Sequence, residues 1–307
     1  MSSTKILFIV NAILAVVIVG VFSFMFLTSP KKNEPQKNIV RTEKNEVVGN
    51  LNNDDHEAME EMIKKVLGKE ADRFAIFIYR PKKDLTPIIF NSHKMRPASM
   101  IKMFVLAKAM QDVKDGKLSL DENLTIAPEN IVGGAGSIAG YGANAKVPVR
   151  LALELMTKES DNTATNILID RIGMNEINKY IREQGYTDTE FQHKMMLAYP
   201  GLSNYSSARD LGKLFTKIYD HDCVDDYYDS MMIDFLLKQE DMECLPAALP
   251  AWNVAHKTGD AEQTYHDGGI CYGKRRDFII VLMNDNYVER GESILRMRMI
   301  AATVANN

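Results

Sequence analysis

Cysteine is scarce in this chain of 307 residues: there are three, Cys223, Cys244 and Cys271. No two stand as Cys-x-x-Cys, which excludes the common zinc and dithiol motifs. One pair would suffice for a disulfide, but the spacing selects none, and three plain small residues is the simpler expectation. The histidines at 56, 93, 193, 221, 256 and 266 never fall at a His-Glu-x-x-His or comparable spacing, so no metal and no other cofactor is expected. An excess of positive charge is also lacking. A formal net charge of −4 excludes the basic face of a nucleic-acid binder. There is no internal repeat. The run Gly134-Ala135-Gly136-Ser137-Ile138-Ala139 comes near a dinucleotide fingerprint. No strand leads into it, however, and no acidic residue follows at the required distance. It reads as a loop at the mouth of a cleft, with Tyr141 a candidate lining residue.

Charge is wholly absent over residues 6–27, which are apolar apart from Asn11, Gly20 and Ser23. About 20 such residues cross a bilayer as a helix. Lys5 precedes the segment and Lys31, Lys32 and Lys37 follow it, so charge asymmetry leaves its orientation open. A cleaved signal would end in small residues, and Phe26-Leu27-Thr28-Ser29-Pro30 does not. An uncleaved anchor over 6–28 is therefore expected, after a cytoplasmic tail at 1–5. The remainder then lies outside the cytoplasm, held at the cell membrane by one pass, or secreted if the segment is cleaved. Residues 29–55 are polar, charged and proline-containing, and read as a flexible tether.

The pattern changes near residue 56. Asp54 or Asp55 is placed to cap a helix whose Met59, Met62, Ile63, Val66 and Leu67 recur at helical spacing. Strand-like runs follow at 73–79 and 86–90, joined by a turn at 81–84. From Ser99 to about residue 113 the pattern is helical, with further helices expected near 149–159, 163–182, 207–219 and 227–239. Strands return at 253–256, 268–272 and 277–283, and a helix near 289–304 closes the chain. This order predicts an α/β fold over 56–307. Its sheet is formed from both chain ends (56–98 and 245–307), and an all-helical part (99–244) is inserted between them. The site is expected where the two parts meet.

Three short motifs carry chemistry. In Ser99-Met100-Ile101-Lys102 the serine and lysine share one face of a helix start. A lysine kept neutral by burial and by a neighbouring cation can take the serine proton, and the helix N-terminus favours developing negative charge. Alone, the pattern also fits a capping serine and a surface lysine. In Ser160-Asp161-Asn162, Ser160 would pass a proton to a leaving nitrogen and Asn162 would bond a substrate amide. Asp161 would brace the loop from behind. The plain alternative is an N-cap cluster. In Lys257-Thr258-Gly259, Lys257 supplies positive charge, Thr258 binds a carboxylate and Gly259 lets backbone approach closely. The plain alternative is an exposed strand end. The backbone N–H groups of Ser99 and Asp260 are the candidate oxyanion donors.

Each motif is common; the three in this order are not. Together they resemble the serine β-lactamase and penicillin-binding protein superfamily, specifically its class A-like branch, over roughly 56–307. Further likeness lies in the helical stretch 104–110, the turn at 121–124, the stretch 157–168 and the helix start at 205–211. The resemblance implies the β-lactamase/transpeptidase-like fold, with Ser99, Lys102, Ser160 and Lys257 as catalytic residues. It implies substrate binding by Asn162, Thr258, Gly259 and Asp260. The implied substrate is a β-lactam or a D-alanyl-D-alanine peptide, and a monomer is expected.

One part of the family pattern is missing. Class A enzymes carry a glutamate on the omega loop that activates the water for deacylation. That position falls at or beside Met195, and there is no Asp or Glu from 191 to 209. Glu190 lies too early in the loop, and Glu183 and Asp188 lie earlier still. His193 is a substitute base on titration grounds or, more simply, a packing histidine. Acylation is thus provided for, while fast release is not; losing such a base costs about 10²–10⁴ in rate. Three readings remain: a β-lactamase with slow turnover, a D-alanyl-D-alanine carboxypeptidase or related wall peptidase, and a non-turnover penicillin-sensing module.

Overall fold

The computed structural model describes residues 45–307 apart from 198. The expected tail, anchor and most of the tether lie outside the described residues. Among the described residues no helix is long and apolar enough to cross a membrane.

Helix α1 (Asn45–Leu67) begins well before the expected cap and runs into the segment read as tether. Asp55 is therefore no cap. Its carboxylate instead pairs with Arg80 at 3.0 Å and Lys83 at 2.9 Å. Strands β1 (Phe74–Tyr79) and β2 (Ile88–Phe90) form the expected hairpin. A 3₁₀ turn over Ala98–Ile101 leads into α2 (Lys102–Lys114). A small unforeseen ribbon pairs β3 (Asn123–Thr125) with β4 (Lys146–Pro148). The helical part continues with α3 (Val149–Lys158), α4 (Asn162–Ile172), α5 (Met174–Glu183), α6 (Ala208–Tyr219) and α7 (Asp226–Leu236). The single helix expected over 163–182 is two, divided at Gly173, whose φ of 92° no helix accommodates. After a short helix α8 (Leu245–Ala248), strands β5 (Asn253–Ala261), β6 (Thr264–Tyr272) and β7 (Asp277–Asp285) precede α9 (Arg290–Asn306).

The sheet is antiparallel throughout, in the order β2-β1-β7-β6-β5, so both chain ends build it. Strand alternation sends successive side chains to opposite faces. Along β1, Ala75 and Phe77 enter the core shared with the helical part, while Phe74, Ile76 and Ile78 enter the core beneath α1 and α9. On β7, Ile279, Val281 and Met283 divide from Phe278, Ile280 and Leu282 in the same way. Covered on both faces, these strands read as continuous apolar runs rather than alternating ones. Helix α2 is buried almost all round, which makes it the axis of the helical part. The three cysteines are free and buried.

Candidate active site

The nucleophile candidate sits on a strained turn. Ala98, immediately before it, has φ 44°, a left-handed conformation that costs a non-glycine residue energy. No side chain caps this turn, so Ser99 is not a capping serine. It lines a cleft of about 920 Å³ together with Ser160, Asn162, Thr258 and Asp260. Lys102, one turn on, is fully buried rather than on the surface. Its Nζ donates to the Ser160 carbonyl (2.5 Å), Ser160 Oγ (3.1 Å) and Asn162 Oδ1 (2.8 Å). Burial pushes its pKa well below the usual lysine range, and the nearby Lys257 charge adds to this while Asp161 opposes it.

The α3–α4 connection aims its groups by local geometry. Ser160 is left-handed (φ 56°). Asp161 caps α4, accepting from the Ala164 N–H at 2.7 Å with one oxygen. Its other oxygen accepts from the Ile138 N–H at 2.7 Å, tying the 134–138 loop to the site. The capping role and the bracing role are thus both carried by this residue. Asn162 holds Lys102 with its oxygen and donates from Nδ2 to the Gly133 carbonyl at 2.9 Å. Each of its two polar atoms keeps capacity for one more bond toward the cleft.

Lys257, Thr258, Gly259 and Asp260 lie inside β5, which runs on past the strand end expected near 256. Lys257 is fully buried; its Nζ donates to Ser160 Oγ at 3.0 Å and to the Thr258 carbonyl at 2.8 Å. Burial lowers its pKa to about 7, with Asp241 and Asp267 pulling the other way. A Cβ on Gly259 would stand 2.8 Å from the Pro97 carbonyl oxygen and 3.1 Å from Met100 Cγ. Only a glycine lets β5 lie this close to the serine turn. The Asp260 side chain is exposed and pairs with Arg290 at 2.8 Å.

The 134–137 loop lines the cleft as expected, but Tyr141 is exposed and is not among the lining residues. Met195 does face the cleft. Its backbone is clamped by the Asn166 amide, which accepts from the Met195 N–H at 2.8 Å and donates to its carbonyl at 3.1 Å. His193 lies elsewhere, in a separate depression with Ile169 and Leu202, its Nδ1 2.8 Å from the Lys194 carbonyl oxygen. That position removes it as a substitute base and leaves the packing role. The basic residue that braces this loop is Lys194, bonded to Asp170 at 2.9 Å and Asn130 at 2.8 Å. Glu190 pairs by its backbone with Tyr205 and is not among the cleft residues.

Sequence reasoning missed Asn166, although it follows Asn162 by four residues and so shares its helix face. It also missed Gln239, which donates from Nε2 to the Thr157 carbonyl at 2.7 Å and accepts from the Asp241 N–H at 3.0 Å. No motif marks that residue. Among the described residues no group of three or more His, Cys, Asp or Glu is placed to hold a metal.

A family model described as the beta-lactamase enzyme family matches residues 58–307. The extended-spectrum beta-lactamase PER-1 of Pseudomonas aeruginosa is 25% identical over 234 residues, covering 72% of this chain and 73% of its own. The solved structure of PBP-A superposes with a TM-score of 0.75 at 24% identity, over 81% of this chain and 95% of that one. A PBP-A mutant held as an acyl-enzyme with penicillin G gives the same score and identity, over 81% and 96%. A beta-lactamase from Sphaerobacter thermophilus gives 0.74 at 18% identity, over 81% and 96%.

Proposed function

The chain belongs to the beta-lactamase enzyme family, and from that membership we propose that it is a serine hydrolase that accepts the acyl group of a β-lactam on Ser99 and releases it slowly. The observation that carries the proposal is the state of Lys102. It is fully buried, depressed in pKa, bonded to Ser160 and Asn162, and one helical turn from a serine on the cleft wall. A neutral Lys102 amine takes the proton as Ser99 Oγ attacks the lactam carbonyl carbon. The developing oxyanion is received by the backbone N–H groups of Ser99 and Asp260. Ser160 Oγ, held by both lysines, hands its proton to the departing nitrogen as the C–N bond breaks and takes in its place the proton that Lys102 gained from Ser99. Lys257 and Thr258 hold the substrate carboxylate. Met195, at the position where class A enzymes keep their glutamate, offers no base to a hydrolytic water, and this supports slow release.

The same observation favours a second reading, a D-alanyl-D-alanine carboxypeptidase or a penicillin-binding module. The PBP-A mutant that shares this fold was captured as an acyl-enzyme with penicillin G. The apolar segment at 6–28 would hold either activity at the outer face of the membrane. The test is a chromogenic β-lactam mixed in excess over the protein. A burst of one equivalent followed by slow turnover is expected, with the label on Ser99. Turnover without a burst would overturn slow release. Labelling that survives Ser99→Ala would overturn the nucleophile.

A further inference from the structure

The acyl-transfer steps above use none of the chain's six histidines. One of them nevertheless holds the segment that carries the nucleophile. His266 is fully buried in β6 and pairs across the sheet with Gly259 of β5. Cross-strand partners share a face, and so do residues two apart on one strand. On this face Gly259 and Gly268 lie against the serine turn; a Cβ on Gly268 would stand 3.1 Å from Met100 Cε. The two glycines let the turn come close but offer no side chain to grip it. His266 offers one. Its Nδ1 accepts from the Asn284 N–H of β7 at 3.0 Å, and its Nε2 lies 2.7 Å from the Arg96 carbonyl oxygen. Burial lowers the pKa of the ring, while the Arg96 carbonyl, Asp285 and the Tyr265 carbonyl pull the other way. A backbone N–H can only donate, so Nδ1 keeps its lone pair. The one proton of the neutral ring therefore sits on Nε2, which donates to Arg96.

Arg96 stands three residues before Ser99, and the backbone between them is strained at Ala98. Such strain persists only where the surroundings hold it. Pro97 has no N–H to anchor, and its carbonyl closes the turn by accepting from the Met100 N–H at 3.0 Å. The hold therefore falls on Arg96, which the sheet takes at both ends. Its carbonyl goes to His266, and its guanidinium goes to Asp285 at 2.6 Å and to Thr264 Oγ1 at 3.0 Å. Resting on the acyl-enzyme reading above, we propose that His266 is a positioning residue for acylation. By tying the Arg96 carbonyl to the sheet, it sets the place of the Ser99 Oγ and of the Ser99 N–H that receives the oxyanion. A misplacement of about 1 Å at the reacting atoms costs about 10²-fold in rate. The groups that hold the substrate, Asn162, Lys257 and Thr258, stand on other segments, so its binding is left as it was.

The test separates the two bonds of the ring by reach. His266→Gln carries an amide that extends to where Nε2 stands and can still donate to the Arg96 carbonyl. His266→Asn carries the same amide one carbon shorter; it can meet the Asn284 N–H but stops short of Arg96. His266→Phe keeps the ring and loses both bonds. Acylation of Ser99 in the full chain is followed by stopped flow over a range of chromogenic β-lactam concentrations. This gives the rate at saturation and the concentration for half that rate. His266→Asn and His266→Phe are expected to lower the rate at saturation by about 10–100-fold, with the half-saturating concentration within about twofold of the parent. His266→Gln should stay within about threefold of the parent in both. A histidine that only packs the core would lower the melting temperature and leave the rate at saturation alone. Should His266→Phe fail to fold, the contrast between Asn and Gln carries the test. Equal rates in the Asn and Gln variants, or a loss confined to the half-saturating concentration, overturn the positioning role, while an adduct on Ser99 of the parent keeps the acyl-enzyme reading standing. Absence of any adduct in the parent overturns both.

Discussion

Ser160 Oγ receives the Nζ of both Lys102 and Lys257, at 3.1 and 3.0 Å. Two ammonium groups on one oxygen in a dry site repel strongly, so one proton must go. Lys102 is the one set to lose it, leaving Lys257 charged until about pH 7. Acylation by a penicillin, whose carboxylate needs that charge, should therefore fall as pH rises through about 7. Lys257→Arg, which keeps its proton, should remove the fall in a stopped-flow pH profile even where the rate itself drops. The stability consequence has the opposite slope. Lys257 has a folded pKa of about 7, below its unfolded value of about 10.4, so the unfolded chain holds more protons between them. Its penalty is complete below about pH 7 and is relieved as pH rises toward 10.4. Lys257→Met should flatten that rise in thermal melts recorded across the window. At Met195 the prediction is a gain: Met195→Glu should speed release of the acyl group by about tenfold or more, toward the range a placed base supplies. Adduct lifetime on Ser99, read by mass spectrometry, would show no shortening if Met195 does not stand where the water is activated.

Among the elements, α4 does most to assemble the site. Its cap Asp161 fixes both the helix start and the 134–138 loop, so Asp161→Ala removes a cap and strands the buried Ile138 N–H. The cap is worth about 0.5–2 kcal/mol and an unsatisfied buried donor about 1–3, so a loss of about 2–4 kcal/mol in denaturant melts is expected. Acylation should slow as well, because Asn162 follows directly and its grip on Lys102 and Gly133 loosens. These features divide cleanly by legibility. The helix starts at Ser99 and Asn162 were readable because serine, lysine and asparagine sit where periodic apolar residues begin. The clamp of Asn166 on Met195 was readable only in half: the i+4 spacing gives its face, but not the loop that comes to meet it. Lys194 was hidden altogether, since a lysine in a loop looks solvated until Asp170 and Asn130 are brought beside it. The early start of α1 and the break at Gly173 show the other limit. Apolar period marks where a helix is buried, and α1 extends beyond its buried residues Met59, Ile63 and Leu67.

For the whole molecule, the sheet is the shared wall of two cores. Both β1 and β7 send alternate residues into each, so neither core can open without disturbing the other. Trp252, stacked edge-on against Phe278 at 5.1 Å, reports on the sheet, while far-ultraviolet dichroism reports chiefly on the helical part. The two signals should trace one coincident transition in urea; separated midpoints would mean that the helical part unfolds by itself. This architecture was largely visible in the chain, since two strands before the helical block and three after it leave few ways to close one sheet. Its antiparallel register and the ribbon of β3 and β4 were not, because strands of three residues carry too little pattern. The free cysteines add a last consequence. Cys223 is sealed in one core, Cys244 and Cys271 in the other, and burial raises the pKa of all three thiols. Folded, they are silent to oxidants and alkylating agents. Each global opening exposes an odd number of thiols with no fixed mate, and a wrong bridge formed then bars the way back. In oxidising surroundings the working life of the molecule is therefore counted in openings rather than in turnovers.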